Sequence, residues 1–268
     1  MPKPPQAVFD SIYAFPPNRD TLGGTAYFIV GNSIDPAHPS AQNGEPANIL
    51  IDCPPWHPET QDFLEQHGGV RWWIFTHRSS FGPLKVVRAL HAAFSASPST
   101  EAAGADTTGP EAIDPSPRCE LVVQEQEAYL LPNLPVTTFH EAIELRPGLQ
   151  VVWTPGHTPG SSCVWLDRAG GILFSGRHLL PTPQGELMAL KTAKTFHWFR
   201  QLRSVQALLD RFSPATLAHC CPGASVGFLR GALSIDHAYD RLTALNLDAA
   251  KLDPVALQSP APIESLDP

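Results

Sequence analysis

Residues 149–154 (LQVVWT) form a short β-rich run that leads directly into Thr154-Pro155-Gly156-His157-Thr158-Pro159-Gly160-Ser161. Two prolines restrict φ and two glycines open conformations closed to other residues, so together they shape a deliberate loop around His157. A histidine held at the carboxyl end of a strand faces the rim where layered α/β proteins assemble their sites. Three further strand ends repeat the pattern. Residues 71–76 (RWWIFT) run into His77, residues 171–175 into Gly176-Arg177-His178, and a short strand at 215–218 into His219-Cys220-Cys221-Pro222-Gly223. Four strand ends therefore deliver polar, ligating or cationic side chains.

The remaining periodicity supplies the layers. Further strand-like runs lie at 25–30 (TAYFIV), 47–52 (ANILID), 120–124 and 162–166, and helical spacing at 58–67, 84–94, 198–212 and 228–245. This order predicts an α/β protein with sheets inside and helices outside, as a single domain over residues 1–250. The 29 prolines cluster in connections. Residues 34–46 read as a hairpin loop, residues 95–117 as a mobile surface insertion built of small, polar and proline residues, and residues 251–268 as a Pro-rich tail.

Composition excludes several functions. A chain of 268 residues with 43% hydrophobic side chains can bury a sizeable core, which excludes general disorder. The formal charge of −8, with no basic cluster large enough to reverse it, excludes nucleic acid as a leading partner. No run of about 18 apolar residues exists to span a membrane. Met1-Pro2-Lys3-Pro4-Pro5 lacks the apolar stretch of a secretory signal, and the expected location is cytoplasmic. Cys53, Cys119, Cys163, Cys220 and Cys221 are odd in number and show no C-x-x-C spacing, so reduced thiols are expected rather than a disulfide framework or a Cys-rich structural zinc site.

The segments TPGHTPGS at 154–161, ILID within 47–52, the strand at 74–77, LFSG at 173–176 and the stretch 217–223 occur in an order that resembles the metallo-β-lactamase superfamily. In its T-H-R and G-R-H-L segments the chain looks most like a branch found in photosynthetic organisms. The resemblance spans residues 25–223 and implies a four-layer αββα sandwich with a dinuclear metal site. It also shows departures. Where the family motif T-H-x-H-x-D-H would place His, Asp and His after His77, this chain has Ser79, Phe81 and Gly82. Arg177 replaces the bridging aspartate, and the last histidine falls on Cys220 or, with a one-residue slip, on His219. His77 and His157 are the family ligands retained.

A guanidinium donates hydrogen bonds, accepts none and stays charged, so Arg177 cannot ligate a cation. It reads instead as occupying the space of the lost metals and supplying their charge. Together with His178, Lys191, Lys194, Arg200 and Arg203 it concentrates positive charge in an otherwise acidic chain. Arg177, His178 and Lys194 are accordingly the candidate ligand-binding residues. Cys220 and Cys221 read as buried small hydrophobes before they read as ligands.

Three functions follow. The first is a degenerate member of the fold that binds a small anion or a protein partner and holds no cofactor. The second is a hydrolase with one zinc or iron ion held by His77, His157 and one of His178, His219 or Cys220. The third is a redox-linked partner of a ferredoxin-like protein.

Overall fold

The computed structural model describes residues 3–31, 47–95 and 119–252. The expected hairpin loop at 34–46, residues 96–117 of the expected insertion at 95–117 and residues 253–268 of the expected tail at 251–268 lie outside the described residues.

The amino-terminal half forms a seven-stranded sheet from β1 (Gln6–Phe9), β2 (Ile12–Ala14), β3 (Tyr27–Ile29), β4 (Ile49–Ile51), β5 (Trp72–Ile74), β6 (Glu120–Gln124) and β7 (Val136–Phe139), in sequential order. The pairs from β1 to β4 are antiparallel and those from β4 to β7 parallel. Helix α1 (Pro58–Gln66) connects β4 to β5, and α2 (Leu84–Ser95) follows β5.

A second sheet takes β8 (Ala142–Arg146), β9 (Leu149–Trp153), β10 (Ser162–Leu166) and β11 (Ile172–Gly176). After β11 come the two-stranded β12 (Leu180–Pro181) and β13 (Leu187–Met188), then helix α3 (Trp198–Arg211). Strand β14 (His219–Pro222) pairs parallel to β11, and β15 (Ile235–Asp236) closes that edge. Helices α4 (Ala238–Thr243) and α5 (Leu247–Leu252) complete the described fold.

The side chains explain the layering. Strands β3 and β4 are apolar at every position, as strands covered on both faces must be. Tyr27, Ile29, Ile49 and Ile51 meet Val151, Val164, Ile172 and Phe174 between the sheets, while Phe28 and Leu50 face Leu64, Val87 and Leu90 of α1 and α2. On the other side, Trp198, Leu202, Val205 and Leu208 of α3 pack over Cys163, Leu173 and Cys220. Each such side chain contributes roughly 1.5–3 kcal/mol by burial. This is the four-layer αββα sandwich that the sequence resemblance implies.

Two expected elements are corrected. The helical spacing at 228–245 is broken into a 3-10 turn (Val226–Leu229), β15 and α4, because Ser225, Arg230 and His237 all adopt left-handed φ values of 60°, 52° and 54°. The strand expected at 215–218 lies four residues later, as β14. Its register pairs Ile172 with His219 and Leu173 with Cys220, which turns Cys220 toward α3 and Cys221 into the space between the sheets. Strands β1, β2, β7 and β8 escape the sequence pattern, and β1, β7 and β8 lack a buried apolar run because they are largely exposed or half-exposed.

All five cysteines are free and buried, and burial pushes Cys53, Cys119, Cys163 and Cys220 up to about 12. Ellman's reagent should therefore leave the native protein unlabelled and label every thiol after denaturation. Rapid native labelling would contradict this packing. No helix among the described residues is long and apolar enough to cross a membrane.

Candidate functional site

The two sheets are joined along the rim at the carboxyl ends of β5, β11 and β14. Ser162 N–H donates to Thr76 O at 2.8 Å and Thr25 N–H to Gly223 O at 2.8 Å, while within the second sheet Gly223 N–H donates to Gly176 O at 2.7 Å. Gly176 has φ +53°, and a Cβ there would lie 2.4 Å from Thr76 Oγ1, so only glycine lets the strands approach so closely. His77, His157, Arg177 and His178 extend from this seam.

His77 ends the β5 segment and is buried. Thr76 donates its hydroxyl proton to the Asp52 carboxylate, with Oγ1 at 2.9 and 2.8 Å from the two oxygens, while Thr76 N–H donates to Asp52 Oδ1 at 2.8 Å. With that proton committed, His77 Nδ1, 2.9 Å from Thr76 Oγ1, must be the donor, which leaves a lone pair on Nε2. That Nε2 is buried without a partner. Burial lowers the His77 pKa, and the neighbouring His157 and Arg177 lower it further. Asp52 sits in a left-handed conformation (φ 62°), and burial raises its pKa to about 6 despite the Thr76 hydrogen bonds and Arg177.

His157 lies in the loop after β9, its ring centroid 5.2 Å from that of His77. Thr158 N–H donates to Ser161 Oγ at 2.7 Å, and Trp153 Nε1–H to Pro159 O at 2.8 Å. The chain entering α3 clamps the loop from outside: Phe196 N–H donates to His157 O at 3.0 Å and His197 N–H to Gly156 O at 2.9 Å. Behind the loop, buried Glu127 accepts from Gly160 N–H at 3.3 Å and pairs with Arg78 at 3.5 Å. Burial, then Arg177, Arg78 and Lys194, depress the His157 pKa to about 4.

The Arg177 side chain is half-buried, and its Nη2 donates to Leu22 O at 2.7 Å and Thr21 O at 3.2 Å, while Nε is buried without a partner. Asp52 supplies the countercharge. Lys194 is exposed near the mouth, where its charge reaches His157. His178 turns inward instead, which corrects its expected place beside Arg177 and Lys194. It is fully buried, its carbonyl accepts from Gln201 Nε2 at 2.9 Å, and neither ring nitrogen has a partner.

The strand register also places His219 and Cys220 away from this rim, correcting their expected position. His219 lies opposite Ile172, at the far end of β11 from Gly176, where it pairs with Asp236 at 2.8 Å and packs on Phe9. Cys220 lies in the core under α3. In the segment after His77, Ser80 Oγ donates to His77 O at 2.7 Å, and Phe81 stacks on Phe75 at 4.5 Å. Among the described residues no group of three or more His, Cys, Asp or Glu is arranged to hold a metal ion. With a guanidinium, Arg177, acting on both His77 and His157, the residues described do not fit a metal pair.

Asp52, Thr76, Glu127 and Gln201 support the site but were not singled out in the sequence. Asp52 carried a signal, as a lone acid closing an apolar strand. Glu127 and Gln201 carried none, since each resembles an ordinary surface residue until the fold buries it.

A family model for the metallo-beta-lactamase superfamily matches residues 85–261. Solved structures agree in fold. TTHA1623 in a di-iron-bound form aligns at 20% identity over 84% of this chain and 96% of that one, with a TM-score of 0.52. A metallo-beta-lactamase from Staphylococcus aureus subsp. aureus COL aligns at 17% identity over 96% and 69% of the two chains, with a TM-score of 0.56. DIM-1 metallo-beta-lactamase exposed to ceftazidime aligns at 15% identity over 93% and 98%, with a TM-score of 0.57. Comparison with curated proteins gives no match. The ordered strand ends, the two facing sheets with helices outside and the family match together establish that the chain belongs to the metallo-beta-lactamase superfamily.

Proposed function

We propose that this protein binds a small anionic ligand at the His77–His157–Arg177 rim, and that it does not carry out dinuclear metallohydrolysis. One observation carries the reading. The buried polar atoms without partners include Thr25 Oγ1, His77 Nε2 and Arg177 Nε, all belonging to residues of the rim. Buried polar groups are ordinarily paired, and such a concentration marks a place where a polar ligand completes the structure. The cations Arg78, Arg177 and Lys194 all act on His157, whose depressed pKa keeps its imidazole neutral, and they outnumber the Asp52 and Glu127 carboxylates that face Arg177 and Arg78, so the local charge favours an anion. The lone pair on His77 Nε2 favours one that also carries a proton, as hydrogen phosphate does.

A divalent cation beside the guanidinium would meet repulsion of several kcal/mol at about 4 Å, even at an effective dielectric of about 20. Protein purified without chelator should accordingly hold less than about half an equivalent of zinc, iron or manganese. In calorimetric titrations, Arg177→Met should weaken inorganic phosphate binding at least about tenfold, because it removes a charge-assisted donor. Arg177→Asp should abolish phosphate binding and raise zinc affinity, since it exchanges the cation for a carboxylate near two imidazoles. A stoichiometric metal pair in the wild type, or phosphate binding indifferent to both variants, would overturn the reading.

A further inference from the structure

Among the described residues, six large apolar side chains are exposed: Leu22, Tyr129, Phe196, Phe199, Phe228 and Leu252. Single exposed apolar residues need no explanation. Two of these, however, each have a backbone atom hydrogen-bonded to a residue of the charged rim. Leu22 O accepts from Arg177 Nη2 at 2.7 Å, and Phe196 N–H donates to His157 O at 3.0 Å. Leu22 is 53% exposed and Phe196 54% exposed. Lys194 lies two residues before Phe196 and acts on the same imidazole. The rim thus combines Arg177 and Lys194 with apolar surface beside Arg177 on one element and beside His157 on another.

We infer that the ligand is amphipathic, with a carboxylate or phosphate head held by Arg177, Lys194 and the imidazoles and an acyl or aryl body lying on Leu22 and Phe196. This inference rests on the anion-site reading above. A bare anion satisfies the cations and leaves both apolar side chains in water, whereas an apolar body on the same head removes them from it. The charges supply orientation and the apolar contacts add affinity.

Titration of the full chain with matched pairs tests this: inorganic phosphate against phenyl phosphate, and acetate against octanoate. The apolar member of each pair should bind at least about tenfold tighter, the gain expected from covering part of two large side chains. Leu22→Asn, which suits the left-handed φ of 58° at that position, combined with Phe196→Ser should remove the difference within each pair. Phe228→Ser, at an exposed aromatic whose backbone N–H bonds Ser225 O and not a residue of the charged rim, should preserve it. If phosphate binds and phenyl phosphate binds no tighter, the amphipathic assignment fails while the anion site stands. If neither anion binds, the anion site fails and this inference with it. Co-sedimentation with phosphatidylglycerol vesicles that the double variant abolishes, without preference among the soluble pairs, would assign the surface to a membrane headgroup and overturn a soluble ligand.

Discussion

Between pH 6.5 and 4 the protein should lose about 3 kcal/mol of folding stability, with the loss arising at the rim. The native pKa values of His77, His157 and His178 all lie below the ordinary 6.5, reaching about 4 for His157 and about 3 for His178, with burial the largest cause in each. As pH falls below 6.5 the unfolded chain protonates these three imidazoles and the native chain does not, so acid favours unfolding. Asp52, raised to about 6, and Glu127, also raised by burial, act oppositely: the native carboxyls bind protons that the unfolded ones have released. His157 and His178 against Asp52 leave a net surplus of one proton for the unfolded chain, or about 1.4 kcal/mol per pH unit, with His77 and Glu127 acting in opposite directions. Urea unfolding at intervals from pH 7 to 4 measures this slope. His178→Leu removes one of the three imidazoles and should leave the curve nearly flat. It should cost little at pH 7, because neither ring nitrogen has a partner to lose. A wild-type curve that is flat or rises toward acid would show that the imidazoles are not buried as described.

Gly156→Ala should destabilise the fold by about 3 kcal/mol and abolish phosphate binding. Gly156 has φ +149°, and a Cβ there would lie 2.3 Å from Gln201 Cα and 2.5 Å from Gln201 N in the first turns of α3. Neither atom is the end of a flexible side chain, so either the loop or the helix must move. Movement breaks the His197 N–H to Gly156 O and Phe196 N–H to His157 O hydrogen bonds that hold His157 beside His77. Gly227→Ala is the control, because no atom lies within 4 Å of the corresponding Cβ position. It should change stability by less than about 0.5 kcal/mol. Thermal unfolding and phosphate titration of both variants distinguish a local loop effect from general glycine intolerance.

The sequence marked three of the strand ends that build the site, because proline, glycine and histidine at a strand terminus are local features. The loop around His157, the His77 terminus and the Gly176-Arg177-His178 turn all lie at strand ends on the sheet seam. The αββα layering was legible for a related reason: strands such as β3 and β4 are apolar throughout and therefore require cover on both faces. The fourth strand end was misplaced. His219-Cys220-Cys221 looks like a polar terminus, and only pairing with β11 shows that the two cysteines fill core on opposite faces while His219 faces Asp236.

Side-chain type and local spacing thus determined the layers and set His77, His157 and Arg177 at strand ends, while the order of the motifs carried the resemblance to the family. Tertiary structure alone decided that Thr76 couples Asp52 to His77, that Glu127 supports the loop from behind, that His178 faces inward and that buried polar atoms without partners gather at one rim. The division has a physical cause. Backbone conformation and amphipathic pattern are set by residues a few positions apart, whereas burial, partner choice and the pKa shifts that follow depend on contacts between segments such as Asp52 and Thr76, Glu127 and Gly160, or His178 and Gln201, which meet only once the chain has folded.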